Sequence, residues 1–225
     1  MKAESNGHEH EFEPEFGLPE PLPHGETILW QGAPDFSDLA VRVFHLRKAI
    51  GYFAIIIALR AVYQSMQGLD TSSTVVAMIW PVSLALISVT AIATLAWLTA
   101  RTTAYTLTDQ RVVMRIGIVL TLTFNLPLKT IEMAGLKQTG KGFGDIPLSM
   151  RGNDRIAWLH LWPHARPWRL AKPEPMLRCL PEAALVAAKL TNAWAAAHSP
   201  NGKSNHQAIP VTGPGQRSTN TMAAA

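Results

Sequence analysis

At 225 residues, with 48% hydrophobic and 16% charged residues, the chain has room for one compact domain plus a membrane element. The single cysteine, Cys179, excludes an internal disulfide and a Cys-based zinc site and reads as a buried apolar thiol. The formal charge of +4 is uneven: the first 26 residues hold seven Glu and one Lys, leaving 19 Lys+Arg against 9 Asp+Glu for the rest. Those cations are dispersed, which argues against nucleic acid and for anionic headgroups or an acidic protein face.

Residues 1–24 are rich in Glu, Pro and His and have no apolar core, so they read as a disordered acidic leader and not as a signal peptide. His8, His10 and His24 fall in or beside this segment, whose flexibility argues against a defined metal site. Residues 25–48 open with a short strand, Thr27 to Trp30, ended by a turn at Gly32 and Pro34. Asp35 or Ser37 then caps a helix. Leu39, Val43, Leu46 and Ile50 follow at spacings of four, three and four, which predicts one apolar stripe on an interfacial helix.

Residues 49–100 read as a transmembrane hairpin. The first span starts near Ala49, and its charge-free run stops at Arg60, a residue placed to snorkel or to pair with a group on a partner helix. The second, Val75 to Leu98, lies in a run without Asp, Glu, Lys or Arg, with Pro81 set to kink it and Trp80 and Trp97 near its ends. Ser83, Ala85, Ser88, Ala91 and Ala93 are small enough for close helix approach. The loop between the spans has no Lys or Arg, whereas the outer flanks carry Arg42, Arg47, Lys48, Arg101, Arg111 and Arg115. The positive-inside rule then makes both termini cytoplasmic.

Residues 101–198 read as a small β-barrel or sandwich of about seven strands, capped by a C-terminal helix. Tyr105–Thr108 and Val112–Ile116 form a hairpin around Asp109-Gln110. Thr121–Leu128, Ile131–Gln138, Gly144–Met150, Ile156–Leu161 and Pro175–Leu180 are further strand candidates. Val186, Leu190, Ala193, Trp194 and Ala197 give the last helix one apolar face. Residues 199–225 read as a second disordered tail.

The opening Gly25-Glu26 through Trp30, Gly32 and Pro34 is similar to that of bacterial pleckstrin-homology (PH) domains on small membrane proteins. So are the hairpin from Tyr105 through Thr108 to Arg111 with Gly117, then Pro127, and Gly144-Asp145. The order of acidic leader, two spans and PH-like domain more specifically resembles photosynthetic-complex assembly proteins of the PuhB type. The resemblance covers about residues 18–198. It implies an α+β membrane protein in the inner, intracytoplasmic membrane of purple bacteria. It also implies a non-enzymatic assembly factor for the photosynthetic reaction centre and core antenna, with their subunits as partners.

The residues themselves offer little chemistry. Gly140-Lys-Gly-Phe-Gly144 lacks a phosphate-loop pattern and reads as a tight connection. On a strand, Trp158, His160 and Trp162 would share one face. With Trp168 they read as barrel packing or as an aromatic contact patch. His160, His164 or His45 could contact bacteriochlorophyll, but the residues lend that reading no support, and no cofactor, metal or catalytic residue is assigned. Arg60, Ser88, His160, Trp162 and Trp168 are the expected partner contacts. Membrane lipids are a further expected partner, and a homodimer is left open. The alternative function is a general membrane-tethered lipid- or peptide-binding module.

Overall fold

The computed structural model describes residue 18 and residues 22–68, 70–152 and 156–199. Most of the acidic leader and all but the first residue of the C-terminal tail lie outside the described residues, as do residues 153–155. What remains is an α+β fold with a long helical hairpin inserted near its start.

The first strand, β1 (Ile28–Gly32), is followed by a short helix, α1 (Phe36–Arg42). Asp35 caps α1, its carboxylate accepting from the Asp38 amide at 2.9 Å. The predicted stripe from Leu39 to Ile50 is not continuous. The chain breaks at 43–45, where His45 takes a left-handed conformation (φ 55°), and a second helix, α2 (Leu46–Met66), starts in a new direction. The break leaves α1 free to bury Leu39 and Ala40.

A third helix, α3 (Thr71–Thr102), returns antiparallel to α2 and includes Pro81 without a break in the helix. Both helices are long and apolar enough to cross a membrane, and almost none of either apolar stretch is buried within the protein. They differ in length. At 1.5 Å per residue, the 21 residues of α2 span about 32 Å and the 32 residues of α3 about 48 Å. The excess lies at the C-terminal end of α3, where α1 packs against it and Ala96 and Thr99 are buried.

The next three strands are β2 (Ala104–Thr108), β3 (Arg111–Ile116) and β4 (Leu122–Pro127). Together with β1 they form an antiparallel sheet in the order β1-β2-β3-β4. Gln31 lies opposite Thr106 and Gly32 opposite Tyr105, so the strand before the helical hairpin completes the sheet that follows it. The second sheet has β7 (Gly144–Met150) at its centre, with β5 (Ile131–Ala134), β6 (Lys137–Gln138) and β8 (Met176–Leu180) paired to it. The predicted strand Ile131–Gln138 is therefore two strands, divided at Gly135-Leu136. A larger correction falls on Ile156–Leu161: this segment contains no strand, and Trp158–Leu161 is a single helical turn, α4. Four residues of mixed apolar and polar character fit either period, and here packing of Leu161 into the interior decides for the helix.

The last helix, α5 (Ala183–His198), closes the core between the two sheets. Val186, Leu190 and Ala193 reach Tyr105, Leu107, Val112, Leu126, Ile146, Leu148 and Leu177. Trp194 donates its indole N–H to the Ile131 carbonyl at 2.8 Å, which fixes the helix rotation. Gly144 is required beneath it, because a Cβ there would collide with the Ala183 methyl. Leu190→Ala, at a site only 2% exposed, is expected to destabilise the fold by about 2–4 kcal/mol. Denaturant titration in mild detergent, followed by near-UV circular dichroism, measures this.

Candidate functional site

The polar interactions concentrate where the helical hairpin meets the β-domain, and the first of them joins the two sides of that insertion. Glu26 lies just before β1, with its side chain 2% exposed. Its carboxylate accepts from Arg111 Nε (2.9 Å) and a second guanidinium nitrogen (3.1 Å), and from the Thr108 hydroxyl (2.6 Å). Thr108 in turn accepts from the Gln110 and Arg111 amides, holding the β2–β3 turn. Thr27 and Asp109 add a reciprocal pair, the Thr27 amide donating to the Asp109 carboxylate at 3.0 Å and the Asp109 amide to the Thr27 carbonyl at 3.1 Å. A forked guanidinium matched to a buried carboxylate is among the stronger polar contacts available to a protein.

The second junction docks α1. Arg42 bridges Asp38 and Asp145, each at 2.5 Å, and the other Asp145 oxygen accepts the Cys179 amide at 2.9 Å. The Asp35 amide donates to the Cys179 carbonyl. Burial, with Asp38 and Asp145 nearby, pushes the Cys179 thiol up, in keeping with its reading as an inert buried group. Beside this junction lies an open cleft of about 580 Å³ lined by Ser37, Asp38, Arg42, Arg47, Thr139 and Phe143, among others.

The third is a sealed chain of hydrogen bonds. The Arg178 amide donates to the Tyr105 hydroxyl (3.3 Å), which pairs with His164 Nδ1 (2.6 Å), while His164 Nε2 reaches the Thr103 hydroxyl (3.2 Å). These contacts engage both ring nitrogens, and in a neutral imidazole one of the two donates while the other accepts. Burial, helped by the Arg178 charge, lowers His164 to about 3. Both ring nitrogens are occupied and the residue is fully buried, so His164 offers no position to a pigment metal.

The expected contact residues do not assemble into one patch. Arg60 is exposed on α2. Ser88, half-buried on α3, turns its hydroxyl back onto the Leu84 carbonyl at 2.8 Å. Trp158, His160 and Trp162 do not share a strand face, since they lie on and after the α4 turn. His160 is exposed, and Trp162, 48% exposed, meets Phe44 edge to face at the start of α2. Trp168 stands apart, 97% exposed at φ 64°. Among the described residues no three His, Cys, Asp or Glu side chains are grouped to hold a metal.

Several residues of the opening and hairpin motifs prove architectural. Trp30 lies over Gly32, where a Cβ would strike its ring. Pro34 and Tyr105 are buried, and Gly117 turns at φ 122° where a Cβ would meet the Leu120 carbonyl. Pro127 is exposed, its carbonyl accepting from Thr130. Asp145 is the α1 anchor. In the sequence Glu26 stands only as part of the opening motif and Arg42 only as a flanking cation, and nothing there marks either of them, or Asp38, as a junction residue.

Glu26→Ala would leave Arg111 without its carboxylate and is expected to cost about 2–4 kcal/mol. Adding Arg111→Ala should cost less than the sum of the singles, with a coupling of about 1–3 kcal/mol in a double-mutant cycle of denaturation midpoints. His164 sets an acid limit. An unfolded His binds its proton near pH 6.5 and the folded one only near 3, so stability is full above about 6.5 and falls as pH drops towards 3. The expected slope approaches about 1.4 kcal/mol per pH unit, and His164→Asn should flatten it by one proton's worth. Denaturation series at stepped pH read this from the slope, independently of the variant's absolute stability.

Comparison with known proteins shows what these junctions belong to. A protein from Rhodobacter capsulatus, described as an uncharacterized 23.7 kDa protein in the puhA 5' region, is 40% identical over 188 residues, covering 83% of this chain and 87% of the relative. No solved structure matches. The family model described as "Bacterial PH domain" matches residues 48–194, from the start of α2 almost to the end of α5, so that β1 and Glu26 lie ahead of the matched region. With that match and the PH-like arrangement of strands beneath a C-terminal helix, the chain belongs to the bacterial PH domain family.

Proposed function

We propose that this protein is a non-enzymatic membrane assembly factor for the photosynthetic reaction centre and core antenna. Its two long helices lie in the inner, intracytoplasmic membrane, and both termini are cytoplasmic. One observation carries the photosynthetic part: a relative covering most of both chains is described by its position beside puhA. The resemblance of this chain's motifs to PuhB-type assembly proteins agrees with it.

The geometry supports a contact role. Exposed side chains, among them Trp162, Trp168 and His160, lie on a domain whose Glu26, Asp145 and His164 are buried and hydrogen-bonded within it. A PH-like domain held against its own membrane anchor can present such groups to the cytoplasmic segments of a nascent subunit, while α2 and α3 offer side chains to its helices. Arg60 and Ser88 are the intramembrane candidates, and the proposal needs neither pigment nor catalysis.

A second reading rests on the cleft beside α1, where Arg42 and Arg47 stand at the start of the helical hairpin. It makes the protein a general lipid- or peptide-binding module without a photosynthetic role. Purification from mild detergent separates the two, since recovery of anionic lipid or unrelated envelope proteins alone favours the module.

Deletion of the gene in its host is expected to lower reaction-centre content several-fold, read from near-infrared absorbance of isolated membranes. Unchanged reaction-centre levels would defeat the assembly proposal.

A further inference from the structure

The turn between β3 and β4 is apolar and exposed, and the fold gives it a specific position. It reads Gly117-Ile-Val-Leu-Thr121. Val119 is 92% exposed and Leu120 79%, with Ile118 and Leu122 each more than a third exposed. Nothing in the local geometry requires apolar groups here, because the sharp turn is made by Gly117. A loop of this kind at a protein–water boundary is ordinarily polar.

Strand pairing fixes where the turn points. β2 begins at Ala104, two residues after α3 ends, and Ala104 lies opposite Arg115. β3 therefore runs back towards the hairpin, packs against α3, and delivers Ile118–Leu120 to the end of the domain from which the long helices emerge. The same end carries the Phe44–Trp162 contact at the start of α2, with Leu159 exposed on the preceding turn. Arg101, stacked on Trp97 at 5.2 Å, marks the level at which α3 leaves its apolar stretch. Apolar tips beside arginines and an interfacial tryptophan suit the boundary between headgroups and acyl chains.

We propose that the Ile118-Val119-Leu120 turn inserts into the interfacial zone of the same bilayer that holds α2 and α3, as a third membrane contact of the β-domain. This rests on the membrane reading of the two helices. An interfacial segment buries its apolar groups about 5–10 Å below the headgroups, and the loop does so while the hairpin prevents the domain from leaving. The contact fixes how the domain stands about the hairpin axis, and hence which face it turns to the cytoplasm.

Three variants of the full chain, each with one added cysteine, test this: Val119→Cys at the turn, Leu86→Cys within α3, and Lys129→Cys beyond the far end of β4. Buried Cys179, with its raised thiol, is inert to maleimide, so an environment-sensitive fluorophore labels only the new site. The proteins are reconstituted in phosphatidylcholine/phosphatidylglycerol vesicles carrying nitroxides at shallow or deep positions. The proposal expects the probe at 119 to shift to the blue and lose about half its intensity to the shallow nitroxide. The probe at 86 should be quenched by the deep one, and that at 129 by neither. If 86 is quenched while 119 behaves like 129, the wedge is overturned and the membrane reading stands. If 86 is silent, the membrane reading falls and takes the wedge with it. A blue shift at 119 without quenching means that protein covers the turn, which also overturns the proposal.

Discussion

The structure depends on the union of Glu26 with Arg111 and Thr108, which ties together chain segments that the whole helical hairpin separates. The ends of the hairpin are brought close by the antiparallel packing of α2 and α3, and β1 then pairs with β2. Without β1, the edge of β2 would be open, and β2 is buried along its entire length. An unpaired buried edge is costly, since each backbone group left without a partner loses roughly 1–3 kcal/mol. The clamp sets the register of that pairing: the reciprocal bonds of Thr27 and Asp109 place β1 opposite Thr108. The β-domain and the hairpin are thus parts of one folding unit.

The unequal lengths of α2 and α3 follow from the same constraint. If α3 ended level with the start of α2, α1 would have no helical surface to rest on. The last turns of α3 instead form one wall of a site that buries Leu39 of α1, and Arg42 closes it through Asp145. The break at His45 belongs to this arrangement, because a continuous helix from residue 36 to 66 would carry α1 away from β8 and the Cys179 backbone. The domain is consequently braced at two points, β1 on one side and α1 on the other, and does not hang from a flexible linker.

Much of this was legible in the sequence, for physical reasons that differ by element. The helices of the hairpin declare themselves by length and absence of charge, and α5 by a stripe that repeats over four turns. The β2–β3 hairpin is marked by alternation about Asp109-Gln110, and β1 by a Gly and a Pro that end it. The break at 43–45 was not legible, because Val43-Phe44-His45 contains no Gly or Pro and keeps the helical spacing intact; tertiary docking of α1 overrides it. The α4 turn is too short for either period to register. The clamp was hidden for another reason: Glu26 stands at the end of a run of acids, where one more carboxylate carries no distinguishing signal until Arg111 is placed beside it.

The boundary of the domain in space is accordingly not its boundary in sequence. A fragment beginning after α3 would contain seven of the eight strands described, yet it would lack the edge strand, the carboxylate that holds Arg111, and the helix that covers Asp145. During synthesis β1 emerges first and has no partner until the helical hairpin and β2 have followed. Pairing that waits on distant segments is slow and leaves strand edges open. Here the antiparallel hairpin shortens the wait, since its own packing returns the chain to within reach of β1. Closure of the β-domain is therefore coupled to correct pairing of α2 with α3, and under the proposed topology to their insertion in the membrane.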